Sequence, residues 1–197
     1  METIFEAWKY AQENGDKLVE AFQTHLLISV IALIVGMAIC IPLGIVCAKN
    51  EKVSGTIMGI FNSLRVIPSL AILVIVLPIL GTGINTFIGF REIDPAVKEA
   101  ALGMGMNEKQ ILRKIEFPLA LPLMIAGCRT AAVEVVASAT LAAFIGGGGL
   151  GQFIINGLGM YNIPLLLVGA IPVALLSIFS EISFAVTERF VTRYQRD

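Results

Sequence analysis

Charged residues are scarce in this chain. Aspartate, glutamate, lysine and arginine together make up 15% of its 197 residues, whereas hydrophobic residues make up 56%. Soluble domains ordinarily carry about 25% charged residues, so the composition excludes an ordinary soluble protein and indicates a membrane protein. The net charge of −1 gives no basic excess for binding nucleic acid.

Residues that carry chemistry are also few. The single histidine is His25, and the three cysteines, Cys40, Cys47 and Cys128, lie inside apolar runs at spacings that match no zinc or redox motif. We interpret His25 as a packing residue at the membrane interface and the cysteines as free thiols. No G-x-x-x-x-G-K-[ST] loop is present, and the run Gly146–Gly149 lacks the lysine of a nucleotide-binding loop. The sequence therefore predicts no catalytic residue, no metal site and no cofactor.

Long apolar runs occupy most of the chain. A hydrocarbon core of about 30 Å needs about 20 residues of apolar helix, and runs at about residues 24–48, 54–80, 119–145 and 163–187 are that long. Arg65 and Pro68 interrupt the second run, which predicts a kinked or broken helix there. The start of the chain is acidic, unlike a cleavable signal peptide, so we expect the first run to remain as a span. The predicted fold is an all-α, polytopic membrane helix bundle.

Lysine and arginine are absent from two loops, and their distribution predicts how the bundle is oriented in the membrane. The turn Gly81–Gly83 and residues 146–162 carry neither, whereas residues 49–52 carry two lysines, the tail carries three arginines, and residues 91–114 carry both types. Because such residues are enriched on the cytoplasmic side, we expect residues 1–23 outside, a membrane domain over 24–188, a cytoplasmic segment over 91–118 and a cytoplasmic tail over 189–197.

This orientation leaves one crossing too few. Only residues 84–90 separate the outer turn from the cytoplasmic Arg91, and seven helical residues rise about 10 Å. Either the second run folds back as a hairpin at Pro68, or a span of about 20 residues is missing near Gly83–Ile84; the parity of the spans favours the second. A missing span predicts that Gly83 and Ile84 lie on opposite sides of the membrane with a break between them, or that the fold is distorted.

The cytoplasmic segment carries its own helix signals. Asp94–Pro95 is a good helix start, and the glycine at position 103 or 105 should end that helix. Asn107 then begins a second short helix, with a glutamine three residues later as in a capping box, and Pro118 is expected to end it. Two short helices joined at glycines form a compact unit, here called the knob (Asp94–Pro118). A solvated loop with a charge run is the plainer alternative on this pattern alone.

The knob resembles the coupling motif, known as the EAA motif, in the permease subunits of ABC importers. The residues that match the motif and its spacing are Glu99, Ala100, Ala101, Gly105, Ile115 and Pro118. Further stretches resemble the osmoprotectant branch of these permeases, which transports glycine betaine, carnitine and choline. These stretches are residues 63–71, 77–83, 84–86 and 144–151.

The resemblance implies a type I ABC importer permease in a bacterial cytoplasmic membrane. Its partners would be two ATPase subunits on the knob, a second permease copy or paralogue, and an external substrate-binding protein. In the family, a further apolar helix separates the two stretches that meet here at Gly83–Ile84, which agrees with the missing span. Permeases for another small substrate such as methionine, a non-transporting membrane scaffold, and a secondary carrier remain as alternatives. A secondary carrier should show internal repeats, and the sequence has no self-similar halves.

Polar residues inside the spans are candidates for the passage. Ionisable side chains are costly at membrane depth, and those in this chain are Arg65, near Pro68, together with Arg129, Glu134 and Glu181. Arg129 and Glu134 point about 140° apart on one helix and should not pair with each other. Pairing between helices and lining of a passage both remain open for these residues.

Overall fold

The computed structural model describes residues 2–50, 54–57, 59–60 and 82–193, and these residues form helices joined by short turns, with no strand. Short helical pieces occupy residues 54–57 and 59–60, and α3 spans residues 82–91. The other helices are α1 (Glu2–Glu13), α2 (Gly15–Lys49), α4 (Pro95–Gly103), α5 (Glu108–Ile111), α6 (Phe117–Ala139), α7 (Gly151–Gly159) and α8 (Ile163–Arg193). A π-helical turn, Leu112–Glu116, joins α5 to α6, and a 3₁₀ turn, Thr140–Ile145, follows α6. The all-α prediction is confirmed.

Three helical stretches within the described residues are long and apolar enough to cross a membrane. They are Gly15–Lys49, Glu108–Ile145 and Ile163–Val191. The first begins nine residues earlier than predicted, because no helix breaker separates the polar residues after Gly15 from the apolar run. Most of the predicted second run, including Arg65 and Pro68, lies outside the described residues.

The helix ends form two groups at opposite ends of the bundle. At one end, Nζ of Lys49, the last residue of α2, lies 3.8 Å from Oε2 of Glu116 in the knob. Towards the other end, Nε2 of His25 donates a hydrogen bond of 3.0 Å to the carbonyl oxygen of Val136. The side chain of His25 is fully buried between α2 and α6, which supports its packing role, while its position at the membrane interface stays a prediction. The knob and the glycine-rich stretch at residues 146–149 therefore lie at opposite ends.

Glycines allow the membrane helices to approach one another closely. A Cβ on Gly44 would lie 2.8 Å from Cβ of Thr86, and a Cβ on Gly127 would lie 2.5 Å from Cβ of Asn85. A Cβ on Gly169 would lie 2.6 Å from the carbonyl oxygen of Leu150. Small residues at such crossings are typical of membrane helix bundles, where association depends on close packing rather than on a hydrophobic driving force.

The structure corrects the predicted break between Gly83 and Ile84. Both belong to α3, in which Thr86 donates a hydrogen bond of 2.8 Å from Oγ1 to the carbonyl oxygen of Thr82 across the supposed junction. The carbonyl oxygen of Gly83 also lies 3.0 Å from the position of a Cβ on Gly44, near the knob end of α2. The opposite-sides prediction is therefore wrong, because residues 82–91 form one helix that packs on α2 and α6. The alternative hairpin at Pro68 falls outside the described residues.

Candidate functional site

The knob begins and turns as its sequence signals predict. The Asp94 side chain accepts a hydrogen bond of 2.9 Å from the backbone N–H of Ala96, and Pro95 occupies the first turn of α4. The helix ends in a left-handed turn at Gly105, whose φ is +81°. There the N–H of Gly105 donates to the carbonyl oxygen of Leu102 at 2.9 Å, and that of Met106 donates to Ala101 at 3.1 Å. This pair of bonds is a Schellman motif, so Gly105 rather than Gly103 makes the turn.

The second short helix has the predicted capping box. Oδ1 of Asn107 accepts a bond of 3.0 Å from the N–H of Gln110, and Oε1 of Gln110 accepts one of 2.9 Å from the N–H of Asn107. Each side chain satisfies a backbone donor that the helix start leaves free. The link between the two helices therefore has a defined geometry.

Pro118 does not end the helix, contrary to the prediction. The N–H of Phe117 donates to the carbonyl oxygen of Leu112, five residues back, within the π-helical turn Leu112–Glu116. A proline ring clashes with the carbonyl four residues earlier in a regular α-helix, and the wider turn accommodates that carbonyl. One continuous helical stretch, Glu108–Ile145, therefore runs from the knob into the apolar bundle.

The π-helical turn directs a carboxylate into the protein. Glu116 is 5% exposed. Its Oε1 lies 2.7 Å from Nζ of Lys98 on α4, and its Oε2 lies 3.8 Å from Nζ of Lys49 on α2. Glu116 was not predicted from the sequence, although its position one helical turn after Leu112, on the apolar side of the helix, indicates burial.

The structure brings the motif residues into one unit and divides them between its interior and its surface. Ala101 is fully buried and Ile115 is half-buried. The exposed members are Glu99, Ala100, Gly105 and Pro118. Large exposed apolar side chains continue this surface, with Leu102 at 54% and Met104 at 74% exposure.

Basic residues lie on the second short helix of the knob and on the π-helical turn that follows it. Lys109, Arg113 and Lys114 line an open cavity of about 540 Å³ together with Asn107 and Gln110. The knob thus presents an exposed apolar tip with a basic flank, a combination suited to a protein partner that covers the tip and carries acidic groups beside it.

Within the bundle, Arg129 bridges two helices. Its Nε lies 3.3 Å from Oε1 of Glu181, and its Nη1 donates to Oε2 of Glu188 at 2.9 Å. Pairing between helices, which the sequence left open, is therefore present for Arg129 and Glu181. Glu188 was not identified from the sequence, because it follows the predicted end of the last span. Glu134 lies on α6 and is half-buried.

Two tyrosines line one cavity at the opposite end of the bundle from the knob. Tyr10 of α1 and Tyr161 line the same open cavity of about 650 Å³, with the carboxylates of Glu6 and Glu13. Tyr161 adopts a left-handed backbone with φ of +51° and is almost fully exposed. The sequence, in which these tyrosines are 151 positions apart, gave no sign that they share a cavity.

Comparison with known proteins identifies the family. Residues 82–193 match the family described as "Binding-protein-dependent transport system inner membrane component". The choline transport system permease protein OpuBB of Bacillus subtilis is 38% identical, and the alignment covers 93% of each chain. The carnitine transport permease protein OpuCB of Listeria monocytogenes is 40% identical over 93% of this chain and 92% of that protein. The glycine betaine/carnitine/choline transport system permease protein OpuCB of Bacillus subtilis is 37% identical over the same shares.

A solved structure has the same fold. The chain aligns with a crystal structure of the MetNI methionine ABC transporter in an inward-facing conformation, with a TM-score of 0.79 and 22% identity over 89% of this chain and 96% of that chain. This likeness shows the fold of a type I ABC importer permease.

The alignment lengths bear on the missing span. The alignment with OpuBB runs over 201 positions and includes 93% of this chain, which is about 183 of its 197 residues. About 18 positions of the alignment are therefore gaps in this chain. That number is close to the length of one span. It agrees with the expected shortfall, while its placement near Gly83–Ile84 stays a prediction.

Proposed function

Since the chain belongs to the inner membrane components of binding-protein-dependent transport systems, we propose that it forms the passage of an ATP-driven importer for glycine betaine, carnitine or choline. The observation that carries this proposal is the identity of 37–40% with permeases named for these solutes, along more than nine-tenths of the chain. The three solutes share a quaternary ammonium group. Methionine is not favoured, because the likeness to a methionine transporter, at 22% identity, extends to the fold alone.

The knob is the proposed docking surface for two ATPase subunits. Its exposed residues Glu99, Ala100 and Gly105 adjoin the apolar side chains of Leu102 and Met104. Exposed apolar side chains at a rigid turn are what a partner's groove can bury. Ala101 and Ile115 would hold the shape of the knob from within, and Pro118 would mark its junction with the membrane helix.

The ion pairs of Arg129 support a passage on the α6–α8 side of the bundle. In the single chain, the side chain of Arg129 is 34% exposed and that of Glu181 is 48% exposed. Partly exposed charges inside a span cannot face lipid without a large cost, so protein or water must cover them. We assign this face, with Glu134 and the residues Arg65 and Pro68 of the second run, to the passage shared with a second permease copy or paralogue.

The remaining partners follow from this arrangement. ATP hydrolysis would take place in the ATPase subunits, since the sequence has no nucleotide-binding loop. Residues 1–23 and the tyrosine-lined cavity would face the substrate-binding protein outside a bacterial cytoplasmic membrane, with 24–188 as the membrane domain and 189–197 as a cytoplasmic tail. Rocking of the helices, driven by ATP-dependent closure of the ATPase subunits, would alternate access to the passage.

Reconstitution tests the proposal. The permease, its ATPase and its binding protein are placed in proteoliposomes, and ATP-dependent uptake of radiolabelled glycine betaine, carnitine, choline and methionine is measured. We expect uptake of at least one of the three ammonium solutes and none of methionine, with vesicles lacking the ATPase as control. Uptake of methionine alone, or no uptake of any of the four by an assembled complex that binds ATP, would contradict it.

A further inference from the structure

Glu116 is a buried carboxylate that belongs neither to the proposed docking surface nor to the proposed passage. It lies at the last position of the π-helical turn, where the knob continues into the membrane helix. Successive side chains of an α-helix are rotated by about 100° from one another. The π-helical turn contains one residue more than an α-helical turn, and this extra residue sets the direction in which the carboxylate points. Such turns occur often at functional positions.

Three elements of the protein meet at this carboxylate. Lys98 belongs to α4 and directly precedes the motif residue Glu99, Lys49 ends the first membrane helix α2, and Glu116 itself enters α6. Both lysine side chains keep contact with solvent, being 40% and 44% exposed, while the glutamate side chain is 6% exposed. A carboxylate removed from water is stable only while its cationic partners remain close, so separating α4 from α2 or α6 would leave it uncompensated.

An apolar cluster lies next to the ion pairs but does not include α4. The buried residues Phe90, Ile93, Ala120 and Met124 pack with Ile45 and Ala48 of α2. This cluster holds α3, α2 and α6 together. The bond of 2.7 Å between Lys98 and Glu116 adds a direct polar link from α4 to the start of α6.

We propose that Glu116 is a positioning residue that makes α4, the end of α2 and the start of α6 move as one body during the transport cycle. The proposal rests on the proposed function, because it needs a partner that displaces the knob. Through Lys98, force applied at Glu99 and Gly105 passes to Glu116, and through Lys49 it reaches the first membrane helix. Without the buried carboxylate, the knob can move while α2 stays in place, and ATP is consumed without full transport.

A distance measurement on the assembled transporter tests the common movement. Spin labels are attached at Val97→Cys on α4 and Val46→Cys on α2, both exposed positions, after replacement of Cys40, Cys47 and Cys128. We expect the same distance in the nucleotide-free and ATP-trapped states. A change of about 5 Å, one helical turn, in a labelled complex that still transports would show that the two helices move separately and would overturn the proposal.

Substitution at Glu116 tests the coupling. In the reconstituted transporter, Glu116→Gln should lower substrate uptake per ATP hydrolysed about tenfold and leave the KM for the external substrate unchanged. Lys98→Met should have the same effect, and Lys98→Arg should retain coupling because it keeps the charge. The matched control is Glu92→Gln, an exposed carboxylate just before the knob, which should behave as the wild type.

The outcomes separate this proposal from the proposed function. Wild-type uptake per ATP in Glu116→Gln refutes the positioning role and leaves the transport function standing. Absence of quaternary ammonium uptake in the wild-type complex refutes the transport function instead. A loss of binding-protein affinity or a raised KM in Glu116→Gln, with normal uptake per ATP, would assign Glu116 to general stability and also overturn the positioning role. If Glu116→Gln does not assemble, the distance in the wild-type complex decides.

Discussion

Replacement of Gly105 is expected to uncouple the knob without disturbing the membrane helices. Gly105 has φ of +81° at the end of α4, and among the described residues nothing lies within 4 Å of the Cβ that another residue would add there. The cost of a substitution therefore comes from the backbone alone. For a residue with a Cβ, the left-handed conformation costs about 1–2 kcal/mol, and a β-branched side chain such as valine costs more.

That energetic cost determines how much of the protein has the native turn at position 105. A penalty of about 1.4 kcal/mol reduces the population of the native turn about tenfold relative to alternatives. The alternatives lack the two Schellman bonds, from Gly105 to Leu102 and from Met106 to Ala101, so Leu102 and Met104 would leave the positions in which a partner can bind them. Gly105→Ala should lower substrate-stimulated ATP hydrolysis about tenfold, Gly105→Val should abolish it, and Gly105→Asn should retain most of it because asparagine tolerates this conformation.

The assay compares ATP hydrolysis by the reconstituted complex with and without substrate-loaded binding protein. Membrane insertion of the isolated permease serves as a control, and we expect it to be unchanged. The stimulated ATP hydrolysis is expected to fall in the order glycine, asparagine, alanine and valine at position 105. Normal stimulation by Gly105→Val would refute the reasoning, and so would an equal loss with asparagine and valine, because the second result would point to side-chain crowding by a partner rather than to the backbone.

Three further outcomes are expected. Arg129→Met removes the partner of Glu181 and Glu188 and should lower the free energy of unfolding in detergent by about 2 kcal/mol, whereas an unchanged melting temperature would contradict a structural role for these ion pairs. Gly127→Val places a Cβ 2.5 Å from Cβ of Asn85 and should cost about 1–3 kcal/mol, with Gly15→Ala, at an open position, as the matched control that keeps its melting temperature. An impermeant thiol reagent applied to intact cells should label Asn156→Cys but not Lys109→Cys, both at exposed positions. The buried native cysteines should give little background labelling. The opposite labelling pattern would contradict the proposed orientation.

Features that depend on neighbouring residues were predictable from the sequence. The Asp94 cap, the Asn107–Gln110 capping box and the turn at glycine each involve hydrogen bonds over at most five residues. Short-range geometry of this kind is fixed by residue type and spacing. The apolar runs likewise predicted the membrane helices, because span length depends only on bilayer thickness.

Features that depend on distant partners were not predictable. Glu116 is buried because Lys49 and Lys98 come from other helices, and the sequence does not show that these residues meet. Pro118 was expected to end its helix because the rule for proline assumes a regular α-helix, and the π-helical turn before it changes that geometry. The supposed break at Gly83–Ile84 followed from counting crossings, whereas the helix at residues 82–91 is set by packing on α2 and α6.

The unbroken stretch from Glu108 to Ile145 gives the protein a lever. Its 38 residues would extend about 57 Å at 1.5 Å per residue, nearly twice the hydrocarbon thickness of about 30 Å. A tilt of only about 5° about the midpoint would move each end by about 2.5 Å, in opposite directions, for a helix of this length. A small angular change at the knob thus becomes a displacement of atomic size at the far mouth of the bundle, with no bend required along the way.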